Sequence, residues 1–293
     1  MFKGCYTALA TPFSNGDVDE AAFVRLITRQ IEERIDGLAP NGTTGESATL
    51  SLQEQMRVIA LCVETAAGRV RVLGGAGAND TARAIDLARH AKAVGCDGAM
   101  VVTPYYNKPN QEGLYRHFMA VADAVEIPII LYNVPARTAV DLAPETVARL
   151  AAHPNIVGLK DASNDLGRVT LHRRLINKPF TLLSGEDATA VGFMAMGGDG
   201  LISVTANVAP ALTARMIQAG LSGDYGAAQS LALALSDLTR ALFAEPSPAP
   251  AKAALAMLDL CRAETRLPLA PVTPATREAI RAALASLEFP GRP

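Results

Sequence analysis

Short apolar runs alternate with amphipathic stretches along most of this chain, and that alternation constrains the fold more than any other feature. The runs are CYTALATPF (5–13), DGLAPNG (36–42), RVLGGAG (71–77), DGAMVVTPYY (97–106), IPIILYNVP (127–135), IVGLKDAS (156–163), FTLLSGEDA (180–188) and GLISVTANV (200–208). Between them lie segments such as EAAFVRLITRQIEERI (20–35), SLQEQMRVIALCVETA (51–66), TARAIDLARHAKAV (81–94) and ETVARLAAH (145–153), with apolar residues three and four positions apart, the spacing of one helix face. Apolar runs separated by helices are the mark of strands buried on both faces in a parallel sheet. Eight repeats of the unit predict a (β/α)8 TIM barrel over residues 1–223, since an open doubly wound sheet usually has fewer strands. After GLISVTANV the strand signal stops. Residues 224–293 read only as helices, broken by EPSPAPA and RLPLAPVTP, and form a C-terminal helical appendage.

At 293 residues and 49% hydrophobic content the chain can bury a large core. Its 27 Lys and Arg and 29 Asp and Glu are scattered, so there is no electrostatic footprint for nucleic acid. Cys5, Cys62, Cys96 and Cys261 stand apart without a CxxC pair, as expected of reduced thiols in a reducing compartment. MFKGCYTALATPF lacks the apolar core of a signal peptide, and no segment has the length of a membrane span; a soluble cytoplasmic protein is expected. His90, His117, His153 and His172 fall singly in or beside surface helices, never paired at ligand spacing, and no metal site is expected.

In a barrel of this kind the chemistry sits at the carboxyl ends of the strands. Those ends are polar here: Thr11, then Asn41 to Glu46 (NGTTGE), Thr103 to Asn107 (TPYYN), Tyr132 and Asn133 with Arg137 behind, Lys160-Asp161, Ser184 to Asp187, and Ser203. Lys160 closes the apolar run IVGL. It is either the first solvated residue after the strand or an amine held where burial lowers its pKa and frees it as a nucleophile. A lysine that forms an imine needs neighbours to move protons, and tyrosine and threonine hydroxyls serve that purpose. GTTGES lacks the GK[ST] ending of a P-loop and better suits a small carboxylate, received by backbone N–H groups and hydroxyls. GGAGAND matches only part of a dinucleotide fingerprint and reads as a tight turn before a helix. A forked guanidinium at Arg137 is suited to a second substrate's carboxylate.

GTTGESATL, VVTPYYNKP, QEGLYRHF, ILYNVPARTAVDL, GLKDAS, LLSGEDA and GLISVTANVAP, in this order, together resemble the dihydrodipicolinate synthase family, and EPSPAPAKAAL looks like that family's helical tail. The resemblance implies a pyruvate-dependent class I aldolase-type lyase that condenses pyruvate with L-aspartate 4-semialdehyde on the way to diaminopimelate and lysine. It implies Lys160 as the Schiff-base nucleophile, Tyr132 as proton donor and acceptor, Thr43 and Tyr106 as the rest of a relay, with Tyr106 crossing from a neighbouring subunit. Thr44 would bind the carboxylate of pyruvate and Arg137 that of the semialdehyde, while Gly185 and Ile202 would line the site. No cofactor is implied, and the family's usual assembly is a homotetramer built as a dimer of tight dimers. Lysine-inhibited members bind lysine at positions matching Ser47, Ala48, Leu52, Gln55, Asn79, Arg83 and Tyr105. Arg83 stands where inhibited bacterial enzymes carry a glutamate, and Leu52 and Gln55 where histidine is common, so weak sensitivity or none is expected. N-acetylneuraminate lyase and 2-keto-3-deoxy sugar acid aldolases are the nearest rivals, but they generally lack counterparts of Arg137 and Tyr106. A catalytically silent barrel is disfavoured by the intact set Lys160, Tyr132, Thr43, Tyr106 and Arg137.

Overall fold

The computed structural model describes residues 2–287. Strand β1 (Gly4–Ala8) is followed by a small antiparallel hairpin, β2 (Phe13–Ser14) and β3 (Asp17–Val18), and then by β4 (Gly37–Ala39), β5 (Arg71–Gly75), β6 (Gly98–Val102), β7 (Ile129–Asn133), β8 (Ile156–Asp161), β9 (Thr181–Ser184) and β10 (Gly200–Ser203). Apart from the hairpin, these strands pair in parallel, each with its neighbour in sequence, and β10 returns to β1 to close an eight-stranded barrel. The expected fold class is therefore found.

Around it run α1 (Glu20–Glu32), α2 (Leu52–Ala66), α3 (Thr81–Ala93), α4 (Gln111–Ala124), the single turn α5 (Pro135–Thr138), α6 (Pro144–Ala151), α7 (Gly167–Leu175), α8 (Ala190–Ala195) and α9 (Pro210–Leu221). After α9 come α10 (Tyr225–Leu242), α11 (Ala249–Met257) and α12 (Pro274–Ala285); residues 288–293 of the expected appendage lie outside the described residues. The helix starts follow from local chemistry. Ser51 and Glu54 form a reciprocal capping box on α2, and Asp19, Asp80, Asn110, Asp224 and Thr273 accept from first-turn N–H groups of their helices.

Alternation along each strand splits the apolar runs between two cores. Tyr6, Leu73, Met100, Ile130, Tyr132, Leu183 and Ile202 fill the barrel interior, whereas Cys5, Leu38, Val72, Leu131, Leu159 and Leu201 pack outward against the helices. Gly37 makes room for this filling, since a Cβ there would lie 2.1 Å from the Tyr6 ring. Leu235, Leu238, Ala251, Ala254 and Ile280 of the appended helices continue the outer core that covers β1 and β10. Among the described residues no helix is long and apolar enough to cross a membrane.

Two expectations need correction. The apolar runs are only partly strand: β1 stops at Ala8, beyond which the Ala10 N–H donates to the Asn207 side chain, and β4 stops at Ala39, before Pro40, which has no N–H for the ladder. Thr11 thus lies beyond β1. His117 and His172 sit on surface helices but point inward and are buried, and burial drives each of their pKa values down to about 4, so both are neutral imidazoles in the fold.

Candidate active site

Lys160 is the penultimate residue of β8 and is only 6% exposed. Parallel register places it opposite Tyr132 of β7 on one side and Leu183 of β9 on the other. Its Nζ lies 4.1 Å from the centroid of the Tyr132 ring, so amine and phenol belong to one cluster at the top of the barrel. Gly185 follows β9 and gives the lysine its space: a Cβ there would come within 3.2 Å of Lys160 Cε and 2.7 Å of Ala162 Cβ. Lys160 is therefore not the first solvated residue after the strand but is enclosed at its end. Ile202 on β10 is fully buried in the barrel interior beneath.

The strand ends beside Lys160 are held by charge-assisted hydrogen bonds. Asn133 Nδ2 donates to Asp141 at 2.8 Å and Asp161 at 3.3 Å, and Arg168 donates to both carboxylate oxygens of Asp141 at 2.8 and 2.9 Å and to the Leu142 carbonyl at 2.5 Å. Burial lifts the Asp161 carboxyl above its ordinary value, with Arg168 and the hydrogen bonds from Ser163 and Asn133 opposing. On the other side the buried Asp187 accepts from Ser203 Oγ and from the N–H groups of Val204 and Thr205, tying the ends of β9 and β10 together. Glu186 is half-buried. Its carboxyl is raised chiefly by burial and then by Asp187, while the positive charges of Lys160 and Arg137 pull it back.

Above this floor opens a cavity of about 360 Å³ lined by Thr43, Tyr105, Tyr132, Arg137, Thr138 and Met100 among others. Thr43 is half-buried and its neighbour Thr44 is buried, in a turn closed by N–H groups of Gly45 and Ser47 on the Gly42 carbonyl and of Glu46 on the Thr43 carbonyl. Thr11 Oγ1 holds the Gly45 carbonyl at 2.8 Å. Arg137, on the single turn α5, is exposed at the rim. A phenol, a hydroxyl-bearing turn and a guanidinium around one cavity, with a buried amine 4.1 Å from the phenol ring centroid, can form an imine, move its protons and receive carboxylates.

Not every expected residue joins this group. Tyr106 is 90% exposed with φ 72° and contributes nothing to the cavity of its own chain. Of the seven positions matched to lysine binding, Ser47, Ala48, Gln55, Arg83 and Tyr105 line the same cavity. Leu52 does not, and Asn79 donates to the Tyr105 carbonyl at 3.3 Å. The Gln55 amide is committed to the loop, donating to Ser47 O at 2.7 Å and Leu50 O at 3.2 Å. Ser247, Pro268 and Leu269, for which no role was expected, reach the cavity from the appended segment; the Ser247 hydroxyl is buried there and has no hydrogen-bond partner among the described residues. No local pattern marks these three, because only tertiary packing brings them near.

A sequence model of the Dihydrodipicolinate synthetase family matches residues 1–287. A relative from Hyphomonas neptunium named 4-hydroxy-tetrahydrodipicolinate synthase is 57% identical over 287 residues, covering 97% of this chain and 98% of the relative. Among solved structures, the 4-hydroxy-tetrahydrodipicolinate synthase of Methylacidiphilum fumariolicum SolV superposes with a TM-score of 0.96 at 42% identity, over 98% of this chain and 96% of that one. The chloride-inhibited dihydrodipicolinate synthase of Acinetobacter baumannii complexed with pyruvate gives a TM-score of 0.95 at 42% identity, over 98% and 99%. With a family match over residues 1–287, relatives above half identity and solved structures of that name superposing over nearly the whole chain, this chain belongs to the dihydrodipicolinate synthetase family.

Proposed function

We propose that this protein condenses pyruvate with L-aspartate 4-semialdehyde to 4-hydroxy-tetrahydrodipicolinate through a Schiff base on Lys160. The observation that carries the reading is the position of Lys160, buried at a strand end with its Nζ over the ring of Tyr132, which in turn lines a cavity together with Thr43 and Arg137. The amine adds to the ketone of pyruvate and water leaves, giving an imine that draws electrons from the methyl carbon. A methyl proton is lost, and the resulting enamine attacks the aldehyde carbon, whose oxygen becomes a hydroxyl. The amino group of the second substrate then displaces Lys160 from the imine, closing the ring and freeing the lysine.

Tyr132, next to the amine, is assigned the proton transfers of imine formation, with Thr43 beside it and Tyr106 completing the relay from a neighbouring subunit. The exposure of Tyr106 in its own chain supports that assignment, because a phenol at a loop tip has no work there. Thr44, helped by the N–H groups of Thr43 and Thr44 that do not close the turn, takes the carboxylate of pyruvate, and Arg137 at the rim takes that of the semialdehyde, while Gly185 and Ile202 shape the floor. No organic cofactor enters this scheme, since the imine is itself the electron sink. The assembly assigned is a homotetramer of two tight dimers. Residues 1–223 are assigned to the catalytic barrel and 224–293 to the helical appendage, of which 288–293 lie outside the described residues, and the free thiols fit a reducing cytoplasm. Borohydride reduction in the presence of pyruvate, followed by peptide mass analysis, tests the reading: the reduced adduct is expected on the peptide containing Lys160, and labelling of any other lysine overturns it.

A further inference from the structure

The turn that carries Thr43 and Thr44 is gripped from the far end of the chain. Glu46, two residues after Thr44, has its side chain 1% exposed, and Lys252 on α11 has its side chain fully enclosed. Lys252 Nζ donates to Glu46 Oε1 at 2.6 Å, and the other carboxylate oxygen accepts the Arg266 N–H at 3.0 Å. Both oxygens of Glu46 are thus held by the appended segment. Phe13 closes the arrangement: Lys252 Nζ lies 3.9 Å from its ring centroid and Arg266 Cζ 4.5 Å. The Arg266 guanidinium continues the strap to the Thr49 carbonyl, the Gly16 carbonyl and the Glu54 carboxylate.

Three features indicate that this pair serves geometry rather than stability. A buried ion pair is commonly no more stabilising than apolar side chains of the same volume, because both charges lose their water. Burial indeed pushes the Lys252 ammonium below its ordinary pKa, and Glu46 pushes it back up. Glu46 also has φ 54°, a left-handed conformation that a glutamate adopts only when its surroundings impose it. Finally, that strained residue closes the turn, its N–H donating to the Thr43 carbonyl at 3.1 Å and its carbonyl accepting from Thr49 N and Oγ1. Fixing the carboxylate fixes the peptide that faces Thr43.

We propose that Lys252 and Glu46 are a positioning pair through which the appended helices set the Thr43–Thr44 turn, and hence the grip on the carboxylate of pyruvate. This rests on the roles given to Thr43 and Thr44 above. The test compares Lys252→Met with the double variant Glu46→Gln/Lys252→Met, measuring the melting temperature and the KM for each substrate. Lys252→Met strands a carboxylate in the core, so it is expected to lower the melting temperature and raise the KM for pyruvate about tenfold. The double variant leaves no buried charge and is expected to regain most of the melting temperature while keeping the raised KM for pyruvate, with the KM for the semialdehyde unchanged in both. Recovery of both melting temperature and pyruvate KM in the double variant overturns the proposal, as does an unchanged pyruvate KM throughout. If neither variant folds, the pair is needed for the fold itself and the positioning role is lost. Failure of pyruvate trapping at Lys160 in the unmodified protein would instead remove the functional reading beneath it.

Discussion

Gly185→Ala should disable the amine while leaving the barrel folded. Gly185 has a backbone conformation open to any residue, so the whole effect is steric. The added methyl would lie 2.7 Å from Ala162 Cβ, 3.3 Å from Ala162 Cα and 3.2 Å from Lys160 Cε. Carbon atoms prefer about 3.5–4.0 Å, so the Ala162 Cβ contact is short by roughly 1 Å and the other two by a few tenths of an ångström. Relief by Ala162 is costly, because its N–H donates to the Asn133 carbonyl at 2.9 Å and Gly185 N–H to the Asp161 carbonyl at 2.7 Å. Moving one strand end moves the next, and the lysine shaft with them. Overpacking of this size costs about 1–3 kcal/mol of stability, and a displacement near 1 Å at a reacting atom costs on the order of 100-fold in rate. Pyruvate-dependent trapping of Lys160 and steady-state turnover should both fall by about that factor, with melting lowered by only a few degrees. Ala162→Gly in the same chain removes the closest atom and should restore most of the rate, a coupling read from the double-mutant cycle. Full activity in Gly185→Ala alone, or no recovery in the pair, would refute the reasoning.

Arg137→Ala should weaken use of the semialdehyde by about 30-fold, roughly 2 kcal/mol and the low end for a charge pair because Arg137 is exposed, with trapping of pyruvate nearly unchanged; equal loss of both steps would make the residue structural. L-lysine should inhibit weakly or not at all, since Arg83 presents a guanidinium to the cavity and the Gln55 amide is already spent on the backbone; half-inhibition at submillimolar lysine would contradict this. His117 and His172 have folded pKa values of about 4, below the unfolded value of about 6.5, so their contribution to stability is complete above pH 6.5 and is lost as pH falls toward 4. Asp161, Glu186 and Asp187, raised by burial, act in the opposite sense at lower pH, so the comparison is internal: His172→Leu should show a smaller drop in melting temperature between pH 7 and 5 than the parent, and an equal drop would show that His172 is not buried neutral.

The barrel was legible in the chain because both-face burial and helix periodicity are local properties, written in each 30-residue unit without reference to the others. Lys160 stood out in the same way, as an ammonium at the end of IVGL, but that stretch alone left open whether it was solvated or enclosed, and the fold decided for enclosure. Local pattern did not reveal which faces close over which side chains. Lys252 sits in PAKAALAM and looks like any solvated helix lysine, yet it is the most enclosed cation described, paired with a carboxylate 206 residues away. His117 and His172 look equally like surface residues and are buried. Arg137 and Tyr106 stand in matching motifs but face solvent in the single chain. These outcomes belong to tertiary structure because desolvation is set by everything that packs around a group, and most of what packs around these residues comes from remote parts of the sequence.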